Sequence, residues 1–178
     1  MLYPIGFKIA TLLLSFSQFS GPALGSTIKS SNQSPILGEN TVQKSRVSQC
    51  NRLIDVVNQG HTISQDIIGT DAEAMEKLAI DLLDLSQRID EVGLTDPNLQ
   101  SYRNRFVRIY GSLSIAAHQV GMALRELDQI PPTPTGVTQA QRLQERVEQA
   151  SQRGDRAAAQ EEILVREINN YCSASTSS

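Results

Sequence analysis

The sequence predicts an all-α protein, an antiparallel up-down-up-down bundle of four helices, or five if the last stretch divides. Three observations carry that expectation. Apolar residues recur in alternating steps of three and four along four separate stretches, the period of one face of a helix. Capping residues, prolines and glycines punctuate the junctions between those stretches. Beyond residue 25 a single Phe remains, Phe106, and there is no Trp. The core must then be built from Leu, Ile, Val and Ala, which suits packed helices better than an aromatic-rich sheet.

Residues 1–25 read as a signal peptide. Lys8 is the sole charge, Ile9 to Phe16 is mostly apolar, and Gly21-Pro22 breaks the run. Ala23 and Gly25 place small residues at −3 and −1 of a cleavage point. The apolar run is well short of the ~20 residues that span a bilayer, so no stable transmembrane anchor is expected in the mature chain. Residues 26–44 are rich in Ser, Asn, Gln and Gly without a period and read as a flexible lead-in. The helical domain is expected over 45–172, with a disordered polar tail over 173–178.

In the first stretch, from about Ser45 to Ile68, the stripe is Val47, Cys50, Ile54, Val57, His61, Ser64 and Ile68. Gly60 marks a bend. The second runs from about Thr70 to Val92, capped by Thr70 or Asp71, with Met75, Leu78, Leu82, Leu85, Ile89 and Val92 in line. Ile80 and Leu83 lie beside that stripe, and Gly93 stands where a C′ glycine would. Thr95-Asp96-Pro97 opens the third, whose stripe runs from Leu99 through Tyr102, Phe106, Ile109 and Leu113 to Leu127. Pro131-Pro132 must end it. The fourth is expected from Thr138, through Leu143, Val147, Ala150, Ala157, Leu164, Ile168 and Tyr171, with an interruption at Gly154-Asp155. The Leu-rich second and Ala-rich fourth stretches would pair within one chain, which favours a monomer over a coiled-coil hairpin dimer.

Cys50 lies near the start of the first stretch and Cys172 at the end of the last. In an up-down-up-down bundle those ends share a pole, and an exported protein meets oxidising conditions. A Cys50–Cys172 disulfide is therefore expected; the alternative is a pair of buried free thiols.

The residues for chemistry are few. The net charge is −3, which leaves no basic surface for nucleic acid. His118 and Met122 share a helix face and are the weak candidates for a haem or copper site, with Met75 able to approach. The Cys-x-x-Cys-His attachment pattern, Glu-x-x-His pairs, nucleophile elbows and phosphate loops do not occur. Asp81, Asp84, Asp90 and Glu91, and the alternating Arg142, Glu145, Arg146, Glu148 and Arg153, read as solvated faces. No metal, cofactor or catalytic residue is expected.

Four segments, CNRLIDVVNQG at 50–60, LTDPNLQSYRNRFVRIYGSLS at 94–114, the Ala-rich stretch before Glu161-Glu162 and EINNYC at 167–172, together resemble small exported cyanobacterial helical proteins of unassigned function. That resemblance implies a helical fold and the paired terminal cysteines, and brings no catalytic residue with it. Val137-Thr138-Gln139-Ala140-Gln141 is similar to the Leu-Thr-x-x-Gln motif of small periplasmic envelope-stress chaperones, with Val in place of Leu. The expected function is accordingly a non-enzymatic extracytoplasmic interaction or scaffold protein, periplasmic or secreted, with a protein or envelope partner. A small periplasmic chaperone is the alternative.

Overall fold

The computed structural model describes residues 39–67 and 69–173. The signal peptide expected over 1–25, the lead-in up to residue 38 and residues 174–178 of the tail lie outside them. Among the described residues the protein is all-helical, with four long helices and one short one: α1 Glu39–Val57, α2 Gln59–Gln65, α3 Ala72–Asp90, α4 Pro97–Leu127 and α5 Pro134–Ser173.

α1 begins at Glu39, six residues inside the segment expected as a flexible lead-in. After Gly38 the chain has no Gly or Pro until Gly60, so no helix breaker interrupts the segment. The first stretch also divides earlier than Gly60. The His61 N–H donates to Asn58 O at 3.2 Å, so Val57 O loses the N–H that a continuous helix would give it. Tyr110 Oη lies 3.3 Å from that carbonyl. The ring of Tyr110 rests on Gly60, where an added Cβ would fall 2.9 Å from two ring carbons. Both residues are buried, so neither has room to move aside. Gly60→Ala should therefore lower stability by about 1–3 kcal/mol through overpacking, measured by urea denaturation.

α3 carries the expected cap: Asp71 accepts the Ala74 N–H at 2.8 Å. Its far end differs from expectation. The C-cap is Glu91, and Gly69 is the sole described glycine with positive φ, so Gly93 is not a left-handed C′ residue. Side chains of α4 do the terminating instead: Arg103 donates to Val92 O at 3.3 Å and Gln100 to Leu94 O at 2.8 Å. Gln49 of α1, only 5% exposed, completes the turn. Its Oε1 accepts the Thr95 N–H at 2.6 Å, the Asp96 N–H at 3.0 Å and the Thr95 hydroxyl at 3.2 Å.

Asp96 caps α4 by accepting from Asn98 and Leu99, with Pro97 in the first turn. α5 begins at Pro134 rather than Thr138 because Thr133 caps it, its hydroxyl accepting the Gly136 N–H at 3.1 Å. The interruption expected at Gly154 does not occur. α5 is one helix of 40 residues with Gly154 buried in its middle. A helical glycine costs about 1 kcal/mol, and the buried Ala150, Ala157, Leu164 and Ile168 around it hold the helix together.

α4 packs against both α3 and α5. Along α3 and α4, Ser114 bonds Ala79 O and Ser86 bonds Val107 O. Along α4 and α5, Arg105 meets Glu167, Gln119 meets Arg153 and Glu126 meets Arg146. In both pairs the partner number falls as the other rises. Leu85, Ile89, Leu99, Phe106, Tyr110 and Leu164 of these helices are fully buried, as is Leu53 of α1. Cys50 and Cys172 are joined by a disulfide, their Cα atoms 6.0 Å apart. Beside it Tyr171 donates to Asp96 at 2.8 Å, and the Arg46 guanidinium lies over its ring.

Candidate interaction surface and a buried polar cluster

His118 and Met122 do share a face of α4, and it faces solvent: His118 is exposed and Met122 is 42% exposed. Met75 is buried in the core side of α3. Met75 packs beside Gly121 of α4, where an added Cβ would lie 3.3 Å from the Met75 Cβ. Among the described residues no group of three or more His, Cys, Asp or Glu side chains is placed to hold a metal. The acids of α3 are partly matched within their own helix, Asp81 with Lys77 and Asp84 with Arg88.

A different cluster lies inside. Tyr110 of α4 donates to Glu161 of α5. His61, on the turn just after the α1–α2 break, lies close enough for its charge to act on Glu161. Burial, the largest influence, pushes the Tyr110 phenol well above its ordinary range, and the Glu161 carboxylate beside it adds to the effect. Burial also raises Glu161; the Tyr110 hydrogen bond and His61 oppose this without cancelling it. His61 Nε2 lies 2.9 Å from the Gln65 amide nitrogen, while its Nδ1 is buried without a hydrogen-bond partner. Phenol, carboxyl and imidazole are acid–base groups, and here they join three helices around a glycine. The sequence carried one signal of the cluster, His61 on the first stripe. Glu161 was invisible because its burial depends on the α4–α5 register.

A carboxyl whose pKa is higher folded than unfolded holds more protons in the folded state. Its stabilising contribution is full below the unfolded pKa and is lost as pH rises through the folded value. Urea denaturation should show stability falling across that window. Glu161→Gln should flatten this part of the profile and keep the bond to Tyr110.

The outer side of α3 and α4 carries an apolar strip. Ile80 and Leu83 are 67% and 49% exposed on α3, and Ile115 and Met122, two turns apart on α4, are 58% and 42% exposed. The Ser114–Ala79 bond, 2.6 Å long, sets Ile80 and Ile115 at one level. Next to it, between α4 and α5, is a groove of about 210 Å³ lined by Gln119, Arg146, Gln149, Ala150 and Arg153. Arg146 pairs with Glu126 at 2.8 Å, and Arg153 donates to the neutral Gln119 at 3.0 Å. The position of Ile80 and Leu83 off the stripe was legible in the sequence. The groove was not, because only the α4–α5 pairing brings Gln119 to the arginines.

No helix among the described residues is long and apolar enough to cross a membrane. Compared with protein-family models, with curated proteins and with solved structures, the chain finds no match in any of the three.

Proposed function

We propose that this chain is a non-enzymatic interaction or scaffold protein working outside the cytoplasm, and that it meets its partner through the outer face of α3 and α4. The observation that carries the reading is the strip of Ile80, Leu83, Ile115 and Met122, four of the six large apolar side chains left in solvent among the described residues, the others being Val137 and Ile163 of α5. Exposed apolar side chains grouped on one face are the usual mark of a contact surface. The leader read in residues 1–25 and the Cys50–Cys172 bond support an oxidising destination. The topology that goes with this reading is antiparallel, up-down-up-down, supported by the opposed numbering of partners along α3, α4 and α5.

The test is a photo-crosslinking amino acid at Ile115 in the native host, with the same group at exposed Asn51 of α1 as control. A discrete adduct from Ile115 and none from Asn51 is expected. Equal labelling at both positions, or no adduct from Ile115, would overturn the surface assignment. The same exposed residues favour a second reading, a small envelope chaperone. Suppression of aggregation of a reduced, unfolded client, lost on Ile80→Asp and Ile115→Asp, would select it.

A further inference from the structure

We propose that the α4–α5 groove receives an acidic amphipathic helix of a partner protein. Its carboxylates would meet Arg146 and Arg153, and its apolar edge would meet Ile115 and Met122. The inference rests on the surface reading above and names the chemistry of the partner.

The arginines that line the groove and the exposed apolar side chains of the adjoining helix share one spacing. Arg146 and Arg153 stand seven residues apart on α5, and Ile115 and Met122 stand seven apart on α4. Seven residues are two helical turns, about 10 Å along the axis. The two spans overlap, offset by about one turn. Gln119, between Ile115 and Met122, bonds Arg153, and Glu126, one turn beyond Met122, bonds Arg146. A helix laid along the groove repeats side chains at the same interval, so one edge of it would meet the cationic wall and the adjacent edge the apolar one.

The donor inventory points to carboxylates. A guanidinium has five N–H donors and no acceptor. Arg146 is bonded to Glu126 through one nitrogen, and Arg153 to a neutral amide oxygen. The remaining donors, with the amides of Gln119 and Gln149, face a groove whose lining includes the small side chain of Ala150. The mixture of signs argues for a discrete partner over a lipid surface. Exposed Glu145 beside Arg146, and Glu126 across the groove, would be pressed onto anionic headgroups, whereas a helix can place its own charges to suit.

The test uses the protein as its host produces it and three probes. These are a fluorescent synthetic helix with Leu and Glu each repeated at seven-residue spacing, the same helix with Lys for Glu, and vesicles of phosphatidylglycerol and phosphatidylcholine. By anisotropy the Glu helix should bind, and the doubly reversed variant Arg146→Glu/Arg153→Glu should weaken it by about tenfold or more. The Lys helix should show the opposite preference. Circular dichroism of the variant verifies that it folds. The proposal falls if the Glu helix does not bind, if the reversal leaves its binding unchanged, or if vesicles alone bind and lose affinity on reversal. An Ile115 adduct that persists in a protein unable to bind the Glu helix would overturn the acidic partner while leaving the contact surface standing.

Discussion

Replacing Cys50 or Cys172 with Ser should lower the unfolding free energy in oxidising buffer by up to about 4–5 kcal/mol on the chain-entropy account. The bond joins residues 122 positions apart, so it restricts nearly the whole described chain when unfolded. Its native geometry gives no reason for the effect to be smaller, since the 6.0 Å Cα separation is within the ordinary range. The same substitutions should matter little in reductant, where the wild-type bond is already open. Non-reducing mass mapping should find one peptide pair joined through these residues. Free labelling of both thiols in native protein prepared without reductant would refute the bond and remove the main support for an oxidising destination.

Tyr110→Ala should cost about 3–5 kcal/mol, the usual range for deleting a fully buried ring, since Tyr110 has no exposed surface. Tyr110→Phe isolates the hydroxyl. It keeps the contact with Phe106, 6.5 Å between ring centroids, but deprives Glu161 of its donor, for about 1–3 kcal/mol. The neighbouring glycine supplies a sharper test. Gly60→Ala is destabilising in the wild type because the ring is in the way. In the Tyr110→Ala background the ring is gone, and the better helix propensity of alanine should make the same change neutral or stabilising by up to about 1 kcal/mol. A double-mutant cycle should thus reveal strong coupling between positions 60 and 110. Additive effects would show that the α1–α2 break has another cause.

The helices themselves were legible because their signals are local. Met75 through Ile89 and Leu99 through Leu113 occupy the core in the order their spacing implied, and Asp71 and Asp96 cap as their positions suggested. The early starts of α1 and α5 have local causes, but other departures depend on tertiary contacts. The first stretch breaks at Asn58 because a ring 53 residues away meets the Val57 carbonyl. Gly93 takes no left-handed turn because α4 side chains serve the carbonyls around it. Gly154 stays helical because it lies in a buried run of α5, between Ala150 and Ala157. Of the candidate surface, only the half on α3 could be read in advance, since Ile80 and Leu83 sit off a clean stripe. The arginine groove exists only through the register of two helices.

The three bonds accepted by Gln49 have a kinetic meaning. The amides of Thr95 and Asp96 sit in the turn between α3 and α4, yet their acceptor belongs to α1. When α1 lifts away, both lose protection at once while the α3–α4 hairpin stays closed. Hydrogen exchange at these two sites therefore clocks the detachment of α1, separately from global unfolding. Cys50 adjoins Gln49 in sequence, so reducing its bond to Cys172 should quicken exchange at residues 95 and 96 before it is felt along α4.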